Sequence, residues 1–164
     1  MASGHEFDEP VDARASLLPR RSWRFLLAHD ATASTCKPLM LSMERALGKV
    51  DIVDVSSVEH ALAELREAAF DACFVCLDLP PVPLGGARLA QRVMRERCPV
   101  ILVTRSLRWL PANATRLREL PWVPPDAPPH EVSRAVRAAL IETSGEIPVL
   151  DAQAQAQAVA SLRR

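Results

Sequence analysis

The sequence predicts an α/β protein built on a doubly wound, five-stranded parallel sheet with helices on both faces. Short apolar runs typical of buried strands alternate five times with segments of helical periodicity, and the connections between them are short. Parallel strands need crossover connections, which helices supply with a right-handed path. The chain has 164 residues, 49% of them hydrophobic, which is enough for one domain with a sizeable core.

The predicted strands are recognised by their apolar runs and flanks. The first, WRFLLA, ends in His29 and Asp30; the second, VDIVDV, alternates apolar and polar residues; the fourth, VILV, is apolar on both faces as in buried parallel sheets. A third strand opens after Asp71, and a short fifth one contains a tryptophan. The predicted strands cover residues 23–28, 50–55, 72–77, 100–103 and 122–123.

The predicted helices fill the intervals between these strands. Pro38 favours the first turn of a helix that Gly48 ends, and Ser57 is placed to cap the next one. A third helix is predicted over residues 86–97. The segment 105–120 receives no firm assignment, because Pro111 interrupts any helix that starts early. An amphipathic last helix carries its apolar stripe on Val132, Ala135, Val136, Ala139 and Leu140.

The chain divides into three predicted regions. Residues 1–21 mix charge, proline and small residues without periodicity, so we expect a flexible leader. Residues 22–142 form the folded domain. Residues 143–164 are expected to be a helical tail or linker, because the Ala/Gln run beyond Asp151 favours helix but offers too little apolar surface for a second domain. In a longer natural chain, an output domain would follow there.

The charge is zero overall but unevenly distributed. Residues 1–85 hold 13 acidic and 8 basic side chains, whereas residues 86–142 hold 5 acidic side chains and 10 arginines. This favours an acidic partner for the second half, with a merely solvated arginine-rich surface as the alternative. Direct nucleic-acid binding is not expected, because no reading motif accompanies the charge. Without a secretory signal or an apolar run of roughly 20 residues, the expected location is the cytoplasm, with no membrane contact.

Polar and sulfur-bearing residues follow three of the predicted strands. In parallel sheets function gathers at the carboxyl ends of the strands, and here those ends carry His29, Asp30, Cys76, Asp78 and Thr104. The four cysteines, which also include Cys36, Cys73 and Cys98, are predicted to be buried thiols rather than disulfides. Cys73 and Cys76 have C-x-x-C spacing, but on a strand they point to opposite faces, which disfavours a thioredoxin-like pair.

On these features, residues 22–142 resemble the receiver domain of bacterial two-component response regulators, the chemotaxis-regulator-like fold. The resemblance implies the flavodoxin-like strand order 2-1-3-4-5. In that family, strand one ends in two acidic residues that bind magnesium, and strand three ends in the phosphorylated aspartate. A Thr or Ser that contacts the phosphoryl group ends strand four, and a Lys-Pro pair follows strand five.

The family pattern is only partly present. His29 takes the first acidic position and Asp30 the second. Asp71 matches an aspartate five residues before the acceptor, which places Cys76 at the acceptor position, with Pro80 four residues later as in the family. The loop from there to the glycines is one residue longer than the pattern. Asp78, just beyond the strand, is the other candidate acceptor.

Two further positions complete the comparison. Thr104 matches the Thr/Ser position, and Pro124 stands where the family has its lysine. The sequence therefore predicts a degenerate phosphorylation pocket in a pseudoreceiver. Such a module would be non-enzymatic and work in phosphorelay-type signalling by protein contacts, with magnesium binding weak or absent and no other cofactor or metal.

The resemblance also implies a partner face on helix four, strand five and helix five. There we expect another signalling protein or an output domain to dock, or a homodimer to form through the last helix, with the residues merely covering the core as the alternative. The predicted face comprises Trp109, Arg116, Arg118, Trp122, Arg134 and Arg137. Two other functions stay open: an atypical receiver phosphorylated on Asp78, or a metal or redox sensor centred on Cys76 with His29 and Asp30.

Overall fold

A computed structural model describes residues 22–31 and 34–144, and in this part of the chain five parallel strands form one sheet in the order β2-β1-β3-β4-β5. This confirms the predicted fold class and strand order. The strands are β1 (Trp23–Ala28), β2 (Val50–Val55), β3 (Ala72–Cys76), β4 (Val100–Val103) and β5 (Trp122–Val123). The helices are α1 (Lys37–Leu47), α2 (Val58–Glu67), α3 (Gly85–Arg95), α4 (Thr115–Glu119) and α5 (Pro129–Ser144), with a short 3-10 turn at Ser34–Cys36.

The register of the strands brings their carboxyl ends to one edge of the sheet. Ala28 of β1 lies opposite Val55 of β2 and Val75 of β3. Cys76, the last residue of β3, lies opposite Val103, the last residue of β4. Side chains that follow β1, β3 and β4 are therefore close enough to share a site.

Successive side chains of the strands point to opposite faces of the sheet, and an apolar core lies on each face. Beneath α2, α3 and α4, Leu26, Cys73 and Val75 are buried. Beneath α1 and α5, Phe25 and Phe74 are completely buried with ring centroids 5.4 Å apart in an edge-on contact. Cys76 packs against this second core, so Cys73 and Cys76 do face opposite sides of the sheet, as strand parity predicts.

Local signals for helix ends are largely confirmed. The Ser57 hydroxyl accepts a hydrogen bond of 3.1 Å from the backbone N–H three residues later and caps α2. Gly48 ends α1 with φ of 80°, a left-handed value that favours glycine. Gly86 has no room for a side chain, since a Cβ there would lie 1.8 Å from the carbonyl oxygen of Cys76. The start of α3 therefore rests directly on the end of β3.

One strand and three helices differ from the predictions. β3 ends at Cys76 rather than at residue 77, and α3 ends at Arg95 rather than at residue 97, because Arg97 adopts a positive φ of 57° that stops the helix. The unassigned segment contains the short α4. The last helix runs to Ser144, two residues beyond the predicted limit of the domain. The predicted leader, and the tail from residue 145, lie outside the described residues.

Among residues 22–31 and 34–144, no helix combines the length and the apolar character needed to span a bilayer.

Candidate functional site

A cleft of about 380 Å³ opens at the carboxyl edge of the sheet, where β1, β3 and β4 end. It contains five of the six residues predicted for the degenerate pocket, namely His29, Asp30, Cys76, Asp78 and Thr104. Pro124 does not line it; Pro125 does, and Pro124 belongs to a neighbouring groove on the other side of Arg105. The cleft thus lies where the sequence analysis places the pocket, but Pro124 is outside its lining.

His29 is buried in the wall of this cleft and is held by β2. Its backbone N–H donates to the carbonyl of Val55 at 3.0 Å, which extends the β1–β2 pairing by one residue. Its ring Nε2 pairs with the carboxylate of Asp54. The other ring nitrogen, Nδ1, is buried and has no hydrogen-bond partner in the described part of the chain. At the position where the resemblance expects the first acidic residue, the chain therefore has an imidazole, and one of its two nitrogens is already paired with Asp54.

Cys76 is paired with a cysteine that the sequence analysis did not assign to the site. The sulfur atoms of Cys36 and Cys76 are 3.5 Å apart, and both residues line the cleft. Cys36 ends the 3-10 turn between β1 and α1, a segment without hydrophobic periodicity. Its only signal in the sequence is its position in a loop at the carboxyl edge.

The two thiols of this pair differ in acidity. The hydrogen bond with Cys76 lowers the pKa of Cys36 to about 7; burial and the negative charge of Asp54 oppose this shift, and the nearby His29 favours it. The pKa of Cys76 is raised, because its proton is held in that bond, because it is buried and because the negative charge of Asp78 is close. The thiolate of the pair therefore forms on Cys36.

The hydroxyl of Thr104 is bonded within its own turn. It donates to the carbonyl of Ser106 at 2.9 Å and accepts the Ser106 N–H at 3.2 Å. A hydroxyl has a single proton to donate. In this structure that proton is directed at the backbone rather than into the cleft.

The charged residues around the cleft differ in exposure. Asp78 is exposed just beyond β3, and Asp30 is half-buried. Arg105, which follows Thr104, pairs with Asp126 at 3.3 Å; both side chains are more than half exposed, so the pair contributes little stability.

Within residues 22–31 and 34–144, no three His, Cys, Asp or Glu side chains converge in an arrangement suited to a metal ion. His29, Asp30 and Cys76 share the cleft without forming such a centre.

The residues of the predicted partner face do not lie on one continuous surface. Trp122 and Arg134 line one groove together with Arg105, Pro124 and Glu131, hereafter the Trp122 groove. Arg116 lines a separate hollow beside α3, and the Arg118 guanidinium donates to the carbonyl of Leu110 at 2.6 Å. Arg137 is exposed on α5. Trp109 is 78% exposed and lines the cleft rather than the Trp122 groove.

The other two cysteines form a second close pair near the amino end of β4. Their sulfurs are 3.4 Å apart, and a hydrogen bond from Cys73 lowers the pKa of Cys98 while the pKa of Cys73 is raised well above its usual range. All four cysteines are free thiols, as predicted, but Cys76 and Cys98 are half-buried rather than fully buried.

Comparisons with known proteins find similarity in three dimensions only. No protein-family model matches the sequence, and no curated protein matches it either. The signal receiver domain of a modulated diguanylate cyclase from Desulfovibrio desulfuricans G20 superposes with a TM-score of 0.61 at 19% identity, covering 75% of this chain and 97% of that one.

Two further structures that are similar to this chain are also receiver domains. A receiver domain protein from Methanospirillum hungatei JF-1 has a TM-score of 0.57 at 17% identity, over 76% of this chain and 98% of that one. The receiver domain of a sensor histidine kinase from Pseudomonas aeruginosa PAO1, described with a magnesium ion in its active-site cleft, has a TM-score of 0.57 at 18% identity over 73% and 98%. The chain therefore has the fold of response regulator receiver domains.

Proposed function

We propose that this protein is a pseudoreceiver, a signalling module of the two-component type that acts through protein contacts and independently of conventional aspartyl phosphorylation. The observation that carries the proposal is Cys76. It occupies the end of β3, where the resemblance expects the acceptor aspartate, and its thiol is bonded to Cys36.

Phosphoryl transfer to a receiver needs a carboxylate nucleophile, a divalent cation and a protein cation opposite it. The donor set of the cleft does not fit magnesium, which prefers several oxygen ligands in octahedral geometry. His29 offers nitrogen and is paired with Asp54, and Cys76 offers a protonated sulfur. Asp30 and Asp78 are the only carboxylates among the described residues that line the cleft.

The two remaining positions point the same way. The Thr104 hydroxyl donates to a backbone carbonyl, so that contact would have to break before it could serve a phosphoryl oxygen. The lysine position holds Pro124, which has no cationic group. Three departures in residue type, at His29, Cys76 and Pro124, together with the Thr104 contact, support the loss of the phosphorylation reaction more strongly than any single one.

Incubation with a small phosphodonor and magnesium, followed by intact-mass measurement, tests this function. We expect no phosphoryl adduct on the wild-type protein under conditions that fully modify a receiver domain with a complete acidic pocket. A stoichiometric adduct that disappears in Asp78→Ala would overturn the proposal. It would establish the second candidate function, an atypical receiver phosphorylated on Asp78, which the exposed position of that carboxylate in the cleft favours.

The Trp122 groove is the proposed docking surface for an acidic partner, either another signalling protein, an output domain or a second copy of the chain. Trp122 is 44% exposed, and arginine and tryptophan are enriched in binding hot spots. Charge reversal at Arg134 and Arg137 is expected to abolish capture of the partner from native cells, whereas reversal at the exposed Arg88 of α3 is not. Equal loss with both sets of variants would show that the groove has no specific role.

A further inference from the structure

We propose that the cleft is an oxidation site in which a peroxide converts Cys36 and Cys76 into a disulfide. This modification is independent of the proposed function, because it requires neither a partner nor the absence of phosphorylation.

The geometry of the pair permits the bond without a change of fold. The sulfurs are 3.5 Å apart, and a disulfide needs about 2.05 Å, so the atoms must approach by about 1.5 Å. Cys36 belongs to the turn before α1, and Cys76 ends a central strand. Side-chain rotation together with a small shift of that turn can supply the approach while the strand stays in place.

The two thiols are chemically unequal, which assigns their roles. Cys36 has a pKa of about 7, beside His29, and so provides a substantial thiolate fraction near neutral pH. Thiolates, not thiols, react with peroxides, and a neighbouring thiol then resolves the product. Cys36 is the attacking residue and Cys76 the resolving one.

The burial of Cys36 determines the size of the oxidant. The residue is only 2% exposed, yet it lines a cleft of about 380 Å³. Hydrogen peroxide has only two heavy atoms and can reach a sulfur at the wall of such a cleft. A peptide disulfide is too large for comparable access, so the oxidant is a peroxide.

The reaction balances as follows. The Cys36 thiolate attacks one oxygen of hydrogen peroxide, the O–O bond breaks, and Cys36 sulfenic acid forms with release of hydroxide, which takes up the proton that Cys36 had lost. The sulfur of Cys76 then attacks the Cys36 sulfur, the S–O bond breaks, and the departing hydroxide combines with the Cys76 proton. The two thiols lose two electrons and two protons in all, and the peroxide becomes two water molecules.

The second cysteine pair serves as an internal comparison. Cys73 and Cys98 are as close, at 3.4 Å, so distance alone does not distinguish the pairs. Cys73 is completely buried, and Cys98 lies near the carboxylate of Asp71, whose negative charge opposes thiolate formation. Cys36 also has a carboxylate nearby, that of Asp54, but it has His29 as well, which favours its thiolate, and it lines the cleft. We therefore expect the cleft pair to oxidise first.

The test is a peroxide titration of the reduced full chain at pH 7, stopped by alkylation and read by intact mass and peptide mapping. We expect the loss of two hydrogens per molecule, one cross-linked peptide joining residues 36 and 76, and reversal by dithiothreitol. In Cys76→Ser, the Cys36 sulfenic acid should persist and be trapped by dimedone. Cys98→Ser is the matched control and should leave the cleft oxidation unchanged.

In Cys36→Ser, peroxide should oxidise Cys76 at least about fivefold more slowly than it oxidises Cys36 in the wild-type chain. A thiol of pKa about 7 has roughly 50 times the thiolate of one at the ordinary 9.0, and the lower nucleophilicity of a more acidic thiol offsets most of this. The proposal is overturned if the first disulfide joins Cys73 to Cys98, if Cys36→Ser oxidises at the wild-type rate, or if the folded chain resists peroxide that oxidises free cysteine. The peptide map of the wild-type chain decides the matter even if a variant fails to fold.

Discussion

Helix propensity and packing predict opposite effects of Gly86→Ala on the stability of the protein. Gly86 lies in the first turn of α3, where alanine would ordinarily favour the helix by up to about 1 kcal/mol. In this structure, however, the added Cβ would lie 1.8 Å from the Cys76 carbonyl oxygen and 2.9 Å from the Cα of Leu77. Both obstructing groups are backbone atoms of β3 or of the turn after it.

The size of the effect follows from how far those atoms must move. Ordinary contacts of a Cβ begin at 3.4 Å, so the helix start or the strand end must shift by about 1.6 Å, which is 3.4 less 1.8. Overpacking of this kind costs typically 1–3 kcal/mol, and a rigid backbone places it at the upper end. We therefore expect Gly86→Ala to lower the free energy of unfolding by about 2–3 kcal/mol and the Tm by roughly 10 °C.

Thermal and urea unfolding followed by far-UV circular dichroism measure this directly. Arg88→Ala is the control, because Arg88 is exposed on the same helix, and its free energy of unfolding should change by less than about 0.5 kcal/mol. A Gly86→Ala protein that melts at or above the wild-type temperature would refute the close seating of α3 on β3.

Three further predictions concern the cleft and the cap of α2. The rate of Cys36 alkylation by iodoacetamide should rise with pH through a midpoint of about 7, because the thiolate forms there. Cys76→Ala should move that midpoint upward by removing the hydrogen bond. A midpoint near 9 in the wild-type protein would contradict this. Asp54→Ala should lower the free energy of unfolding by about 1–3 kcal/mol, because it leaves the buried ring of His29 unpaired, and urea unfolding that matches wild type would disprove the pairing. Ser57→Ala should cost about 1 kcal/mol by removing the cap of α2, measured in the same unfolding experiment, with no loss expected if the hydroxyl is not bonded.

The sheet could be predicted because each strand carries its own local signal. The run WRFLLA is mostly apolar and ends before His29 and Asp30, and its predicted limits coincide with β1. The cap at Ser57 and the stop at Gly48 likewise depend on single side chains. Helix ends set by backbone geometry are less accessible, because nothing in the identity of Arg97 announces a positive φ.

The location of the cleft could be predicted from the sequence, but the contacts of its residues could not. Strand ends fix where His29, Cys76 and Thr104 lie. The partners of His29 and Cys76 come from elsewhere: Asp54 from the neighbouring edge strand and Cys36 from a turn without periodicity. Contacts between a strand end and an irregular segment depend on the path of that segment, which periodicity does not determine.

Arg105 borders both the cleft and the Trp122 groove, and its guanidinium pairs with the carboxylate of Asp126. An anionic ligand in the cleft and an acidic partner in the proposed docking groove would therefore compete for the same positive charge. Such competition would need no sliding of helices over the sheet, only a single side chain exchanging one carboxylate for another. A surface ion pair that contributes almost nothing to stability is well suited to that exchange, because breaking it costs almost nothing either.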